Sequence, residues 1–194
     1  QILKGNVNMT DSMEIFQKDY KICGRHAEYV RALVGTNSSG NKIKSSRIPI
    51  FQRYVDVMAV APIVGFIYKK KGVHDSGADI SMLASQMMQI SHILTRSYRI
   101  IMILDQKEEI SAQDRLDRAF KYDRNPMKRK AGDDIFKAYM LGGIEVLYEK
   151  LIKDSSTLDE DFMNCIEFID EFDKMSPKKR TKEDIIELCN LAGE

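Results

Sequence analysis

Residues 78–104 read ADISMLASQMMQISHILTRSYRIIMIL. Leu83, Met87, Ile90, Leu94, Ile101 and Leu104 recur at three-, four- and seven-residue intervals, the period of a helix with one apolar face. The spacing predicts one long amphipathic helix, opened by Ala78 or Asp79. Working upstream, residues 57–68 (VMAVAPIVGFIY) form the most apolar run. That run is shorter than the about 18–20 residues a membrane span needs. Asp56 and the lysines Lys69, Lys70 and Lys71 flank it, so it reads as a core helix. The helix is expected from about Ile50, just after Pro49, with a kink or a break into two pieces at Pro62. Residues 10–34 read as one or two helices, capped by Asp11 or Ser12 and broken at Gly24. Residues 35–46 (GTNSSGNKIKSS) are the clearest loop, and 72–77 form a second.

Downstream, residues 110–121 read as a charged helix capped by Ser111. Residues 122–132 (YDRNPMKRKAG) read as a basic loop containing Pro126, and 133–152 as a further helix. Thr157 and Glu160 match a capping box that opens a helix to about residue 173. A linker at 176–180 and a last helix at 181–191 complete the chain. The reading is an all-α fold of seven or eight helices with short polar loops, in a single domain over residues 1–194.

Charge is divided unevenly along this domain. Residues 1–130 carry 22 Lys+Arg against 13 Asp+Glu, a net +9, whereas residues 131–194 carry 8 against 16, a net −8. The basic body and acidic C-terminal portion nearly cancel, and a field segregated in this way steers partners. With 43% hydrophobic residues the chain can bury a substantial core, which excludes the disordered class. Eleven methionines and no tryptophan suggest that irregular gaps are filled by flexible thioethers. Cys23, Cys165 and Cys189 are odd in number and far apart, which points to a reducing, cytoplasmic compartment and away from a disulfide framework. No signal segment is visible at the start, and a first residue other than Met leaves room for a longer native chain.

The basic residues cluster in the expected loops and beside one helix. Lys42, Lys44 and Arg47 accompany the first loop, and Lys69, Lys70 and Lys71 the second. Arg124, Lys128, Arg129 and Lys130 belong to the third, while Arg115 and Arg118 share a helix face with Tyr122. Converging, these groups would neutralise phosphates, and Phe120 and Tyr122 could stack on exposed bases. The expectation is therefore a non-catalytic module that binds nucleic acid or another anionic partner. A protein scaffold or homo-oligomerising adaptor is the alternative, marked by an exposed Met/Ile-rich face on the long helix. No membrane partner, cofactor or metal is called for.

Three other arrangements carry weaker chemistry. Residues 35–42 approach a phosphate-binding loop, but Asn41 separates the second glycine from Lys42 and Ile43 replaces the Mg²⁺-binding hydroxyl. Cys23 and His26 have half of a zinc-site spacing without a second pair. His26, His74, Asp75 and Asp105 form a set similar to the His…His-Asp…Asp ligands of HD-domain phosphohydrolases. That resemblance covers four positions and implies a divalent metal activating water. The polar, Gly-rich setting of residues 69–77 points instead to a surface His–Asp pair.

Overall fold

The computed structural model describes residues 13–36, 49–105, 110–122 and 125–175. These form a mostly helical fold of six α-helices with a small two-stranded sheet, a 3-10 turn at Glu14–Gln17 and a π-helical turn at Asp117–Lys121. The helix expected over 181–191 lies outside the described residues, as do Asp11 and Ser12. Among the described residues the helix number is thus six, and a sheet joins what was read as all-α.

The sheet arises within segments read as helical. β1 (Tyr20–Cys23) pairs antiparallel with β2 (Asp79–Met82), placing Ile22 opposite Ile80. Along β2, Ile80 and Met82 are buried while Asp79 and Ser81 face out, the two-residue alternation of a half-buried strand. Four residues are too few for that alternation to stand out beside the helix that follows. β1 ends at Gly24, whose φ of 61° is in the left-handed region, and α1 (Arg25–Val34) starts there. Gly35, the apparent first residue of a phosphate loop, closes α1 in a left-handed cap, its N–H donating to the carbonyl of Ala32 at 3.2 Å. Residues 37–46 of that loop lie outside the described residues.

α2 (Tyr54–Ile67) runs uninterrupted through Pro62 and is not split into two helices. Proline in a helix interior costs about 3 kcal/mol or more, and burial of Val55, Val57, Met58, Ala61 and Val64 offsets it. α3 (Ala84–Leu104) is the long helix that its apolar period predicts, with Leu83 N–H donating to Gln86 Oε1 at 3.0 Å across its first turn. Ser111 caps the short α4 (Ala112–Leu116), as expected, by accepting from the Asp114 N–H at 3.1 Å.

α5 (Pro126–Leu151) begins well before residue 133. Asn125 caps it by accepting the Lys128 N–H at 3.1 Å, and Pro126 occupies the first turn, where its missing N–H costs nothing. Lys128, Arg129 and Lys130 are therefore helical, not in a loop. α6 (Leu158–Met175) opens on the predicted capping box, with Thr157 N–H donating to Glu160 Oε2 at 3.0 Å and Glu160 N–H to Thr157 Oγ1 at 3.3 Å.

The largest helix–helix interface is α2 on α5. A methyl group on Gly143 would collide with the Ala61 carbonyl, and one on Gly65 with the Tyr139 carbonyl. Glycine at these positions lets the two backbones meet. A neighbouring ring cluster pins the N-terminal turn to the bundle: Phe16 lies 5.2 Å from Phe136, and Tyr98 lies 5.5 Å from Phe136. Among the described residues no helix is long and apolar enough to cross a membrane. Cys23 and Cys165 are free thiols.

Candidate functional site

Two polar constellations stand out on this framework. The first surrounds the π-helical turn. Phe120 is about half exposed, and the Arg99 guanidinium lies over its ring at 5.2 Å. Two residues on, Tyr122 has the Lys128 ammonium over its ring at 5.4 Å. Cation-over-ring contacts of this kind are electrostatically attractive. Lys121 pairs with Asp117 at 2.9 Å. Its hydrogen bond and that of Gln113 hold the Asp117 carboxyl below its ordinary range, with the Lys128 charge adding to the effect.

Further basic residues lie near the end of α3. Arg118 shares a small depression with Asp105, Met102, Ile110 and Ile135. Lys71 reaches the same Asp105 at 3.2 Å and lies 4.6 Å from the centre of the Tyr139 ring. Burial, with the Asp105 carboxylate second, pushes the Tyr139 hydroxyl up to about 12. Arg115 is anchored through its donation to the Ile110 carbonyl at 3.2 Å.

Of the twelve basic residues singled out in sequence, Arg115, Arg118 and Lys128 belong to α4, the π-helical turn and the start of α5, whereas Lys71 reaches Asp105 and the Tyr139 ring in the middle of α5. Lys70 turns elsewhere, toward Glu145. Arg129 is mostly buried in a pair with Asp133 at 3.0 Å. Lys69 and Lys130 are exposed, the former in the left-handed region at φ 54°. Lys42, Lys44, Arg47 and Arg124 lie outside the described residues. Lys121, paired with Asp117 one helical turn back, and Arg99, over the Phe120 ring, adjoin these contacts.

The second constellation centres on Glu145, within the apolar run 141–147 of α5. Its Oε1 accepts from His26 Nε2 at 3.0 Å and Arg25 Nη2 at 3.1 Å, and Lys70 Nζ lies 3.6 Å from Oε2. His26 is fully buried, and that burial lowers its pKa despite the neighbouring carboxylate. The hydrogen bond is then one from a neutral imidazole N–H to the acid. Asp75 lies beside this group, accepting the Arg25 N–H at 3.1 Å and so capping α1 from a distant loop. That donor and the Ser76 N–H, at 2.8 Å, hold the Asp75 carboxyl below its ordinary range. Sequence offered one signal, an acid isolated among apolar helix residues, which needs a buried partner.

The HD-like set does not gather in this arrangement. His26 binds Glu145, Asp75 caps α1, His74 is exposed, and Asp105 holds Lys71. Among the described residues no three His, Cys, Asp or Glu side chains are placed to hold a metal ion. No family model, curated protein or solved structure matches this chain.

Proposed function

We propose that this chain is a non-catalytic helical module that binds an anionic polymer, with single-stranded nucleic acid as the partner. The observation that carries the reading is the pair of aromatic rings at the end of the π-helical turn, Phe120 within it and Tyr122 just past it, each beneath a cation. Phosphates need the charges, and unpaired bases need the rings. Arg118 and Lys128 supply phosphate contacts, with Lys71, Arg115 and Lys121 extending the positive field. Duplexes offer no exposed base faces, so the rings favour single strands.

The test is binding of labelled single- and double-stranded DNA and RNA across a salt series. Affinity should fall steeply as salt rises, with a slope that counts the neutralised phosphates. Phe120→Ala should weaken single-strand binding by about 1–3 kcal/mol and leave duplex binding nearly unchanged. Absence of binding at about 50 mM salt would retire the proposal.

A second reading, a protein scaffold, is supported by α3. Met88, Ile93, Ile100 and Leu104 are exposed on that helix, with the last three at spacings of one face. A concentration-dependent dimer lost in Ile100→Ser would favour it.

A further inference from the structure

A cavity of about 260 Å³ lies within the bundle, bounded by the 3-10 turn Glu14–Gln17, α2, α3 and α5. Its lining includes the rings of Phe16, Tyr98 and Phe136 and the thioethers of Met58, Met87 and Met140. Each of these six residues is at most 4% exposed, so the space belongs to the core. Protein interiors leave few voids larger than a water molecule, and this one is well above that size. Methionines are the expected fillers of irregular gaps, yet three of them border this one. At its α5 end the cavity meets Asp133, Asp134 and Lys137. Asp133 is already engaged: Arg129 Nε donates to its two oxygens at 3.2 and 3.0 Å, and the Tyr98 hydroxyl is a further hydrogen-bond partner. Burial raises the Asp133 pKa against the pull of Arg129, which marks this end as partly desolvated. Asp134 and Lys137 are exposed and of opposite charge, three residues apart on α5.

We propose that this cavity binds a small, uncharged aromatic molecule. An apolar cavity of about 150 Å³ takes benzene, so one of about 260 Å³ has room for a two-ring molecule the size of indole. Water is a poor occupant, because it needs roughly two to four hydrogen-bond partners and the six core residues offer only the Tyr98 hydroxyl, which Asp133 engages. The lining favours a ring over an aliphatic body. Phe16 already meets Tyr98 at 66° and Phe136 at 54°, the tilted geometry in which aromatic edges and faces attract, and thioether sulfurs favour ring edges. A charged ligand would lose its hydration without gaining a counter-ion, since Arg129 and Asp133 neutralise each other and Asp134 and Lys137 carry opposite charges. The 3-10 turn is the shortest of the four bounding elements and is joined to α3 by the Met13 N–H donating to Thr95 Oγ1 at 2.9 Å. It is the wall that opens at least cost. This inference is independent of the nucleic-acid reading, which uses Phe120 and Tyr122 at a different place.

The experiment follows the methionine methyl signals of the full chain, ¹³C-labelled at those methyls, by NMR. Four molecules are added in turn: indole, its anionic relative indole-3-acetate, its cationic relative tryptamine, and the aliphatic alcohol cyclohexanol. Indole should shift the signals of Met58, Met87 and Met140 saturably and leave those of the exposed Met163 and Met175 in place. The other three molecules should bind at least about tenfold more weakly. Leu94 also lines the cavity, and Leu94→Phe, which fills part of it, should weaken indole by at least about tenfold. Should that core variant fail to fold, Ile15→Phe fills the same space from a half-buried position on the 3-10 turn and should have the same effect. An unchanged circular dichroism spectrum verifies each fold. No saturable shift up to about 10 mM indole would overturn the proposal, as would binding insensitive to the filling variants. Equal binding of cyclohexanol, or tighter binding of either charged relative, would overturn the assignment to an uncharged aromatic ring.

Discussion

At the scale of single residues, the Glu145–His26 contact joins positions 119 apart in sequence, and its two members bear different burdens. Arg25 and Lys70 keep access to water, whereas His26 has none, so protonation of that ring must occur in a desolvated site. Burial is the largest influence on His26 and lowers its pKa from 6.5; Glu145 and Asp75 act against it, and Arg25 acts with it. The unfolded chain therefore binds the proton more readily than the folded one, and stability is lost as pH falls below 6.5 toward the folded value. Urea midpoints should decline over that window in the native chain and stay level in His26→Gln, which keeps an N–H donor but does not titrate. The depressed carboxyls of Asp75 and Glu160 lose their contribution only below their ordinary values of 3.8 and 4.5, a separate and more acid window. An identical decline in both proteins would show that burial does not keep His26 neutral. The acid in the apolar run 141–147 was a visible anomaly in sequence, but its partner was not, because no local spacing links α1 to α5.

Among the elements, the α2–α5 crossing depends on side chains that are missing. Gly143 is inside a helix, where glycine is ordinarily worse than alanine by roughly 0.5–1 kcal/mol. Here the added methyl would meet the Ala61 carbonyl, and neither backbone can move without separating the largest interface. Gly143→Ala should therefore destabilise by about 1–3 kcal/mol, the usual range for overpacking, instead of stabilising. Chemical denaturation of the variant decides the sign. The same level shows why parts of the architecture were legible. α3 and α6 announce themselves through long periodic patterns and, for α6, a capping box. β1 and β2 are four residues each and acquire their meaning only on pairing. Pro126 was read as a loop signal because its helix-start role depends on Asn125 turning back to cap, a contact that residue type alone does not compel. The basic face shares this limit: clusters at 69–71 and 128–130 were visible, yet packing divided each between surface and ion pair.

For the molecule as a whole, the net charge of +1 leaves almost no long-range repulsion between copies, while the two portions carry +9 and −8. Two such molecules can lower their electrostatic energy by orienting opposite portions toward each other. That attraction acts over the Debye length, about 30 Å at 0.01 M salt and about 8 Å at 0.15 M. Low salt should therefore draw copies together weakly, and added salt should release them. The second osmotic virial coefficient from light scattering at pH 7 should be negative at about 10 mM salt and rise steadily toward about 150 mM. Glu167→Lys/Asp170→Lys, which weakens the acidic portion and raises the net charge together, should shift the low-salt coefficient upward. A coefficient that falls as salt is added would mean that apolar association through exposed residues such as Phe162 and Ile169 outweighs the charge division. In that case the field would not be what brings partners to this surface, and the exposed apolar residues of α6 would be.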